Sequence, residues 1–384
     1  MNDRDRVMAV LTYRLYDRLP IVHFGFWDEL LEKWADEGHL TREDARDWGD
    51  GNPVDAVITA KLGFDCNYYS AFHPNTFLRP GFEQRVIEEM PDGSRKLLNG
   101  EGVIVLWRPD ATGIPSEFEH LLKDRASWEE HYLPKLLYSD ERVTQAPVRV
   151  NQRMVPFNGG GLKFLRRDER AYHYGLHCGS LYGNVRNILG LVGSAYLLAD
   201  DEPLFTEIID TVGELCYQCV KRSLESGAKF DFAHFWEDIC YKQGPIIRPS
   251  VFAAKVGPHY RRITDLVRSY GIEIVSLDCD GMIDDLIPVW FENGVNTMFP
   301  IEVGTWGASI APWRERYGRD LRGVGGTNKV VFAGDRAAID AEIERLKPLV
   351  ELGGYIPCPD HRLPLDAEWD NVLYYCDQMR ATFG

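Results

Sequence analysis

The feature that most constrains this chain is a rhythm. Short apolar runs alternate with stretches of helical periodicity, the pattern of a parallel sheet built from strand-helix units. Eight such runs can be counted: PIVHFG (20–25), GFDCNYYS (63–70), AYHYGLHC (171–178), KFDFAHF (229–235), IEIVSLD (272–278), VNTMFPI (295–301), LRGVG (321–325) and GGYIP (353–357). The last four start roughly 20–30 residues apart, enough for one strand, one helix and two loops. Eight units predict a closed (β/α)8 TIM barrel rather than an open doubly wound sheet.

One interval breaks the rhythm. Between the second and third runs, FEQRVIEEMPDGSRKLLNGEGVIVLWRP alternates apolar and polar residues around the turns PDG and NGEG. It reads as a β-hairpin or small meander, inserted within 71–165 as a cap over one barrel end. With no low-complexity linker or internal repeat, residues 1–384 are expected to form one TIM-barrel domain. Helix signals lie between the runs. Ser127 stands three residues before Glu130 in a capping-box pattern, and Pro258 predicts a break near Gly257. The sequence NGGG at 158–161 lacks P-loop spacing and a following helix start, so it is expected to be a loop.

Composition narrows the partners. A formal net charge of −16 disfavours nucleic acid and anionic membranes, leaving a small molecule or another protein. No apolar run reaches the length of a membrane span, and the charged start MNDRDRVMAVL has no signal-peptide core. The eight cysteines show no framework spacing, which suggests reduced thiols in a cytoplasmic protein. Cys216 and Cys219 form a C-x-x-C within an amphipathic helical pattern and are expected to pack a helix.

In a TIM barrel the chemistry gathers where the strands end. That rule nominates His23 and Trp27 after the first run, Tyr68, Tyr69 and Ser70 after the second, His177 and Cys178 at the third, and His234, Trp236 and Glu237 at the fourth. Asp278, Cys279 and Asp280 follow the fifth run, Glu302 the sixth, Asn328 and Lys329 the seventh, and Asp360 and His361 the eighth. Asp278 and Asp280 lie two apart in DCDG, so both can point the same way and must share a cation, a donor or a proton. With His361 on the same rim, three readings stay open. They are zinc or another divalent metal, a metal-free acid/base cluster, and capping of the next helix by Asp280.

RDRVMAVLTYRLYDRLPIV, FWEDICYKQGPIIRPSVFAAKVGPHYRRITDLVRSYGIEIV and GGYIPCPDHRLPLDAEWDNVLYYCDQMR together resemble the uroporphyrinogen decarboxylase superfamily across nearly the whole chain. That family has a TIM-barrel fold. The segment LPIVHFGFWDELL lacks the arginines with which the decarboxylases grip substrate carboxylates, so the cobalamin-dependent methyltransferase branch looks closer. Its zinc motif, H-x-C-G plus a later cysteine, aligns Asp278, Asp280 and His361 with the ligand positions, each with a harder donor than the family has. The resemblance then implies an O-demethylase: a methoxylated small molecule gives its methyl group to a corrinoid on a separate protein while the metal stabilises the departing oxygen. In this expectation Glu302 assists the metal or the catalysis, and His177 or His234 protonates the oxygen. His23, Trp27, Tyr68, Trp236 and Glu237 bind substrate. The competing readings are a lyase or decarboxylase acting on a carboxylated small molecule, with Asp278 or Asp280 as proton donor, and a binding barrel without chemistry. The oligomer is expected to be a monomer or homodimer.

Overall fold

A computed structural model of the chain describes residues 1–109 and 115–384. Each of the eight apolar runs contributes a parallel strand. These are β1 (Val22–His23), β2 (Cys66–Asn67) with β3 (Ala71–Phe72) from the second run, β4 (Gly175–His177), β5 (Ala233–Trp236), β6 (Val275–Asp278), β7 (Thr297–Ile301), β8 (Arg322–Thr327) and β9 (Tyr355–Pro359). Strands β6, β7 and β9 are buried along their whole length, as strands covered on both faces must be, which is why they read as unbroken apolar runs.

Seven of the strands form one parallel sheet in the order β9-β8-β7-β6-β5-β4-β3, and β1 pairs with β2 in a second. The second run serves both sheets. Cys66 and Asn67 pair with β1, and after Tyr68, Tyr69 and Ser70 the chain resumes at Ala71 to pair with Gly175. Between β1 and β9 the contact shrinks to one parallel bridge, Phe26 to Leu363. The arrangement is TIM-barrel-like, without a continuous ladder around its circumference.

Register places the site. His177 lies beside His234, Trp236 beside Asp278, and Asp278 beside Phe299. Because all the strands run in parallel, their carboxyl ends share one side, called the mouth below.

Between Phe72 and Gly175 lies a four-stranded antiparallel sheet of Arg85–Glu89, Arg95–Leu98, Val103–Trp107 and Ser116–His120. The helical signals fared unevenly. Lys255 ends one helix and Gly257 begins the next, where Pro258 predicts a break. At 124–127 the capping box is Asp124 with Ser127, and Ser127 is its third helical residue rather than its cap. A short helix, Gly161–Leu165, does follow NGGG, contrary to expectation. Helix Glu202–Glu225 buries Phe205, Ile208, Ile209, Val212, Cys216 and Cys219 on one face. The C-x-x-C therefore packs a helix. Each fully buried large aliphatic or aromatic side chain contributes about 1.5–3 kcal/mol, so this face holds the helix against its neighbours Gly183–Asp200 and Gly257–Ser269. No helix among the described residues is long and apolar enough to cross a membrane.

Candidate active site

Strand β6 delivers the acidic part of the mouth. It ends at Asp278, whose side chain finds no hydrogen-bond partner among the described residues although the residue is only 7% exposed. Burial, then the charges of Asp280 and Asp238, push its carboxyl well above the usual aspartate range, and Arg362 pulls the other way. The chain turns sharply after Asp280 because Gly281 has φ +86°, and a Cβ there would stand 2.4 Å from the Cys240 carbonyl oxygen. The turn sends Cys279 inward, where its sulfur accepts the Ile239 N–H at 3.4 Å, and leaves Asp280 half-buried at the mouth.

Asp280 meets His361 there. Its Oδ2 lies 3.1 Å from His361 Nε2, while Asp280 Oδ1 and His361 Nδ1 have no partner. Trp27 stacks on the His361 ring at 5.5 Å, and Phe24 meets its edge at 5.8 Å. Glu302, expected as metal or catalytic help, is committed elsewhere: it accepts the Gly281 N–H, and its Oε1 accepts the Thr305 hydroxyl at 2.8 Å. Burial and the charge of Asp280 raise its pKa. Thus Glu302 ties the end of β7 to the turn after β6.

The expected metal site is only partly assembled. Asp280 and His361 approach as two ligands of one ion would, but no group of three His, Cys, Asp or Glu side chains among the described residues is gathered to hold one. Sequence spacing supplies the donor types without their separations.

The neighbouring part of the mouth, on β3 to β5, is built of histidines. His177, at the end of β4, accepts the Gly179 N–H on Nδ1 at 3.1 Å. His73, just past β3, stacks on it with 4.5 Å between ring centroids. His234, on β5, lies 6.1 Å from His177 and meets Tyr69 edge-on at 4.9 Å. Both ring nitrogens of His234 are buried without a partner. Burial lowers the pKa of His177 well below the ordinary value and that of His234 to about 3. Both are therefore neutral at pH 7. An imidazolium that protonates the leaving oxygen, the role expected of one of them, is thereby replaced by a neutral hydrogen-bonding group.

Three expected substrate contacts lie in the framework instead. His23 is fully buried, with Nε2 2.8 Å from the Thr59 hydroxyl and Nδ1 accepting the Gly25 N–H at 3.0 Å, so both nitrogens are spent. Tyr68 packs inside the strands against Phe232, His173 and Phe299. Glu237 is fully buried and accepts the N–H groups of Leu181 and Tyr182, each at 2.9 Å, and of Gly183. It thereby satisfies the free donors at the start of helix Gly183–Asp200, an anion at a helix N-terminus. Trp27 and Trp236 remain half-buried at the mouth.

Residues outside the expected set complete the site. His73 joins His177 and His234, and Arg362 forms an ion pair with Asp50 beside the rings of Phe24 and Trp48. Asn67 Nδ2 also donates to Asp50 Oδ1, at 3.0 Å. Burial opposes the Arg362 cation, but Asp50 more than offsets it and the pKa is raised. Arg186 is similarly held by Asp238, at 3.2 Å. A cavity of about 810 Å3 lies away from the mouth between the segment 133–138 and helix Glu202–Glu225. Its carboxylates Glu202, Glu207, Asp210 and Glu214 are each paired with a cationic or histidine side chain, which leaves them without a free charge for chemistry.

No family model matches the sequence, and no curated protein matches it. Among solved structures, a methyltransferase from Methanosarcina mazei aligns over 100% of this chain and 99% of its own, with a TM-score of 0.58 and 13% identity. That likeness is one of fold. A protein described as a vitamin-B12 independent methionine synthase, from Listeria monocytogenes, aligns over 56% of this chain and 66% of its own with 14% identity, at a TM-score of 0.35.

Proposed function

We propose that the chain is a corrinoid-dependent methyltransferase, an O-demethylase that passes a methyl group from a methoxylated small molecule to a separate corrinoid protein. One observation carries the reading: an aromatic mouth, walled by Trp27, Phe24 and Tyr69, sets neutral imidazoles on β4 and β5 beside the buried carboxyl that ends β6. The shared fold with the Methanosarcina methyltransferase supports the class of reaction.

The chemistry asks for little. The carbon–oxygen bond of the methoxy group breaks, its electron pair stays on oxygen, and the methyl leaves to the corrinoid, which supplies a reduced nucleophile when docked. The oxygen then needs one proton. Asp278, whose pKa burial and acidic neighbours raise, supplies it, and Asp280 with His361 connects it to the half-exposed rim. The flat rings exclude water while the bond breaks.

The test is transfer from a methoxylated phenol to a reduced corrinoid protein, followed by the change in the corrinoid spectrum. Demethylated product should appear in step with methylated corrinoid. Equal product in the absence of corrinoid would overturn the reading and favour the lyase.

A further inference from the structure

We propose that His73, His177 and His234 form a site for the oxygen of an aryl hydroxyl, with His177 as its principal donor. The site deepens the function proposed above and rests on it for the aryl class, but its geometry stands on its own.

The tautomer of His177 follows from its neighbours. The Gly179 N–H points at Nδ1 from 3.1 Å, so Nδ1 must accept and Nε2 must carry the proton. That Nε2–H has no partner among the described residues, and the side chain is half-buried at the mouth. It is a donor held in place with nothing to donate to. His73 lies against the same ring at 4.5 Å, exposed, and makes no hydrogen bond among the described residues. Behind them His234 buries two nitrogens that have no partner among the described residues, an unfavourable state for polar groups. Three imidazoles in series, His73 on His177 and His177 beside His234, cannot all be charged, and as neutral rings they offer N–H donors to an oxygen. Tyr69, between His73 and His234 at 5.5 and 4.9 Å, supplies a ring edge for a flat substrate. A cation is the wrong ligand here, because the one nitrogen whose protonation is fixed points a hydrogen outward.

The experiment uses the full chain and no corrinoid, so that failure of methyl transfer and failure of this site are separable. Binding of 4-fluorophenol is measured by fluorine NMR to the wild type and to H177F, H73F and Y270F, each checked for folding by circular dichroism. Loss of one donor to an aryl oxygen should weaken binding about tenfold in H177F and several-fold in H73F. Y270F, altered at an exposed residue that caps the helix before β6, should bind within twofold of wild type. Binding that survives both histidine substitutions would overturn the proposal, and so would tighter binding of 4-fluorobenzylammonium than of the phenol. Absence of methyl transfer with histidine-dependent phenol binding would leave this site standing and sink the demethylase reading.

Discussion

Replacing His234 by phenylalanine should make the protein more stable, and increasingly so in acid. The ring of His234 sits among Tyr69, Phe232 and Phe299, an aromatic setting that accepts phenylalanine with little change of shape. At neutral pH the substitution removes two buried nitrogens that have no partner, so H234F should equal or exceed the wild type. In acid a second effect grows. The folded pKa is depressed to about 3 from an ordinary 6.5, so below 6.5 the unfolded chain binds a proton that the folded one refuses. Stability is therefore lost as pH falls from 6.5 toward 3, at about 1.4 kcal/mol per unit. By pH 5, one and a half units down, the loss is about 2 kcal/mol.

The difference between the two proteins isolates this contribution. Buried carboxyls with raised pKa, among them Asp278, Glu237 and Glu302, act with the opposite sign, since they take up protons in the fold before they do in the unfolded chain. They are common to both proteins and largely cancel. Urea unfolding followed by tryptophan fluorescence at pH 7.5, 6.5, 5.5 and 5.0 should show the advantage of H234F widening by about 2 kcal/mol across the series. Parallel curves would mean that His234 is protonated in the fold or has found a partner, and the neutral histidine cluster would be refuted. The same variant should lose methyl transfer, separating what His234 costs the fold from what it gives the reaction.

D280N keeps the shape of the pair with His361 but removes its charge; methyl transfer should fall at least about a hundredfold while the melting temperature stays close to wild type, and retained activity would exclude the pair from the chemistry. G281A forces a side chain to φ +86° and onto the Cys240 carbonyl, so it should cost more than about 1 kcal/mol in urea unfolding and displace Asp280. In D50N the guanidinium of Arg362 loses its ion-pair partner, and 4-fluorobenzoate, measured by fluorine NMR, should bind about tenfold more tightly than to the wild type. Unchanged benzoate affinity would show that Arg362 does not face the substrate.

The strands were legible because buried parallel strands announce themselves as apolar runs, and all eight runs contain one. Contacts across the fold were not. Glu237 reads as a substrate contact because it is a carboxylate at a strand end, yet its partners are the backbone N–H groups of residues 181–183, more than fifty positions away. Tyr68 and Tyr69 are adjacent, so one had to face the interior and one the mouth. The break between Asn67 and Ala71 hid which was which. His73 was missed because it lies three residues beyond the run that was read as ending at Ser70. For Asp278, Asp280 and His361, spacing disclosed a common rim and the donor types, but the distance that makes a ligand set belongs to the loop after β9.

Electrostatics at the mouth also bears on the choice between methyl transfer and a lyase. A decarboxylase must hold its substrate's carboxylate, and an arginine with two free N–H groups is the usual means. Two arginines reach the mouth. Arg362 is held by both oxygens of Asp50, which Asn67 also engages, and Arg186 is held by Asp238. A carboxylated substrate would have to displace one of those aspartates and leave it beside Asp278, whose buried carboxyl already resists ionising. A methoxylated ring brings no charge to the mouth. It needs a donor for its oxygen, a proton after the bond breaks and flat walls, which this arrangement of His177, Asp278 and Trp27 supplies.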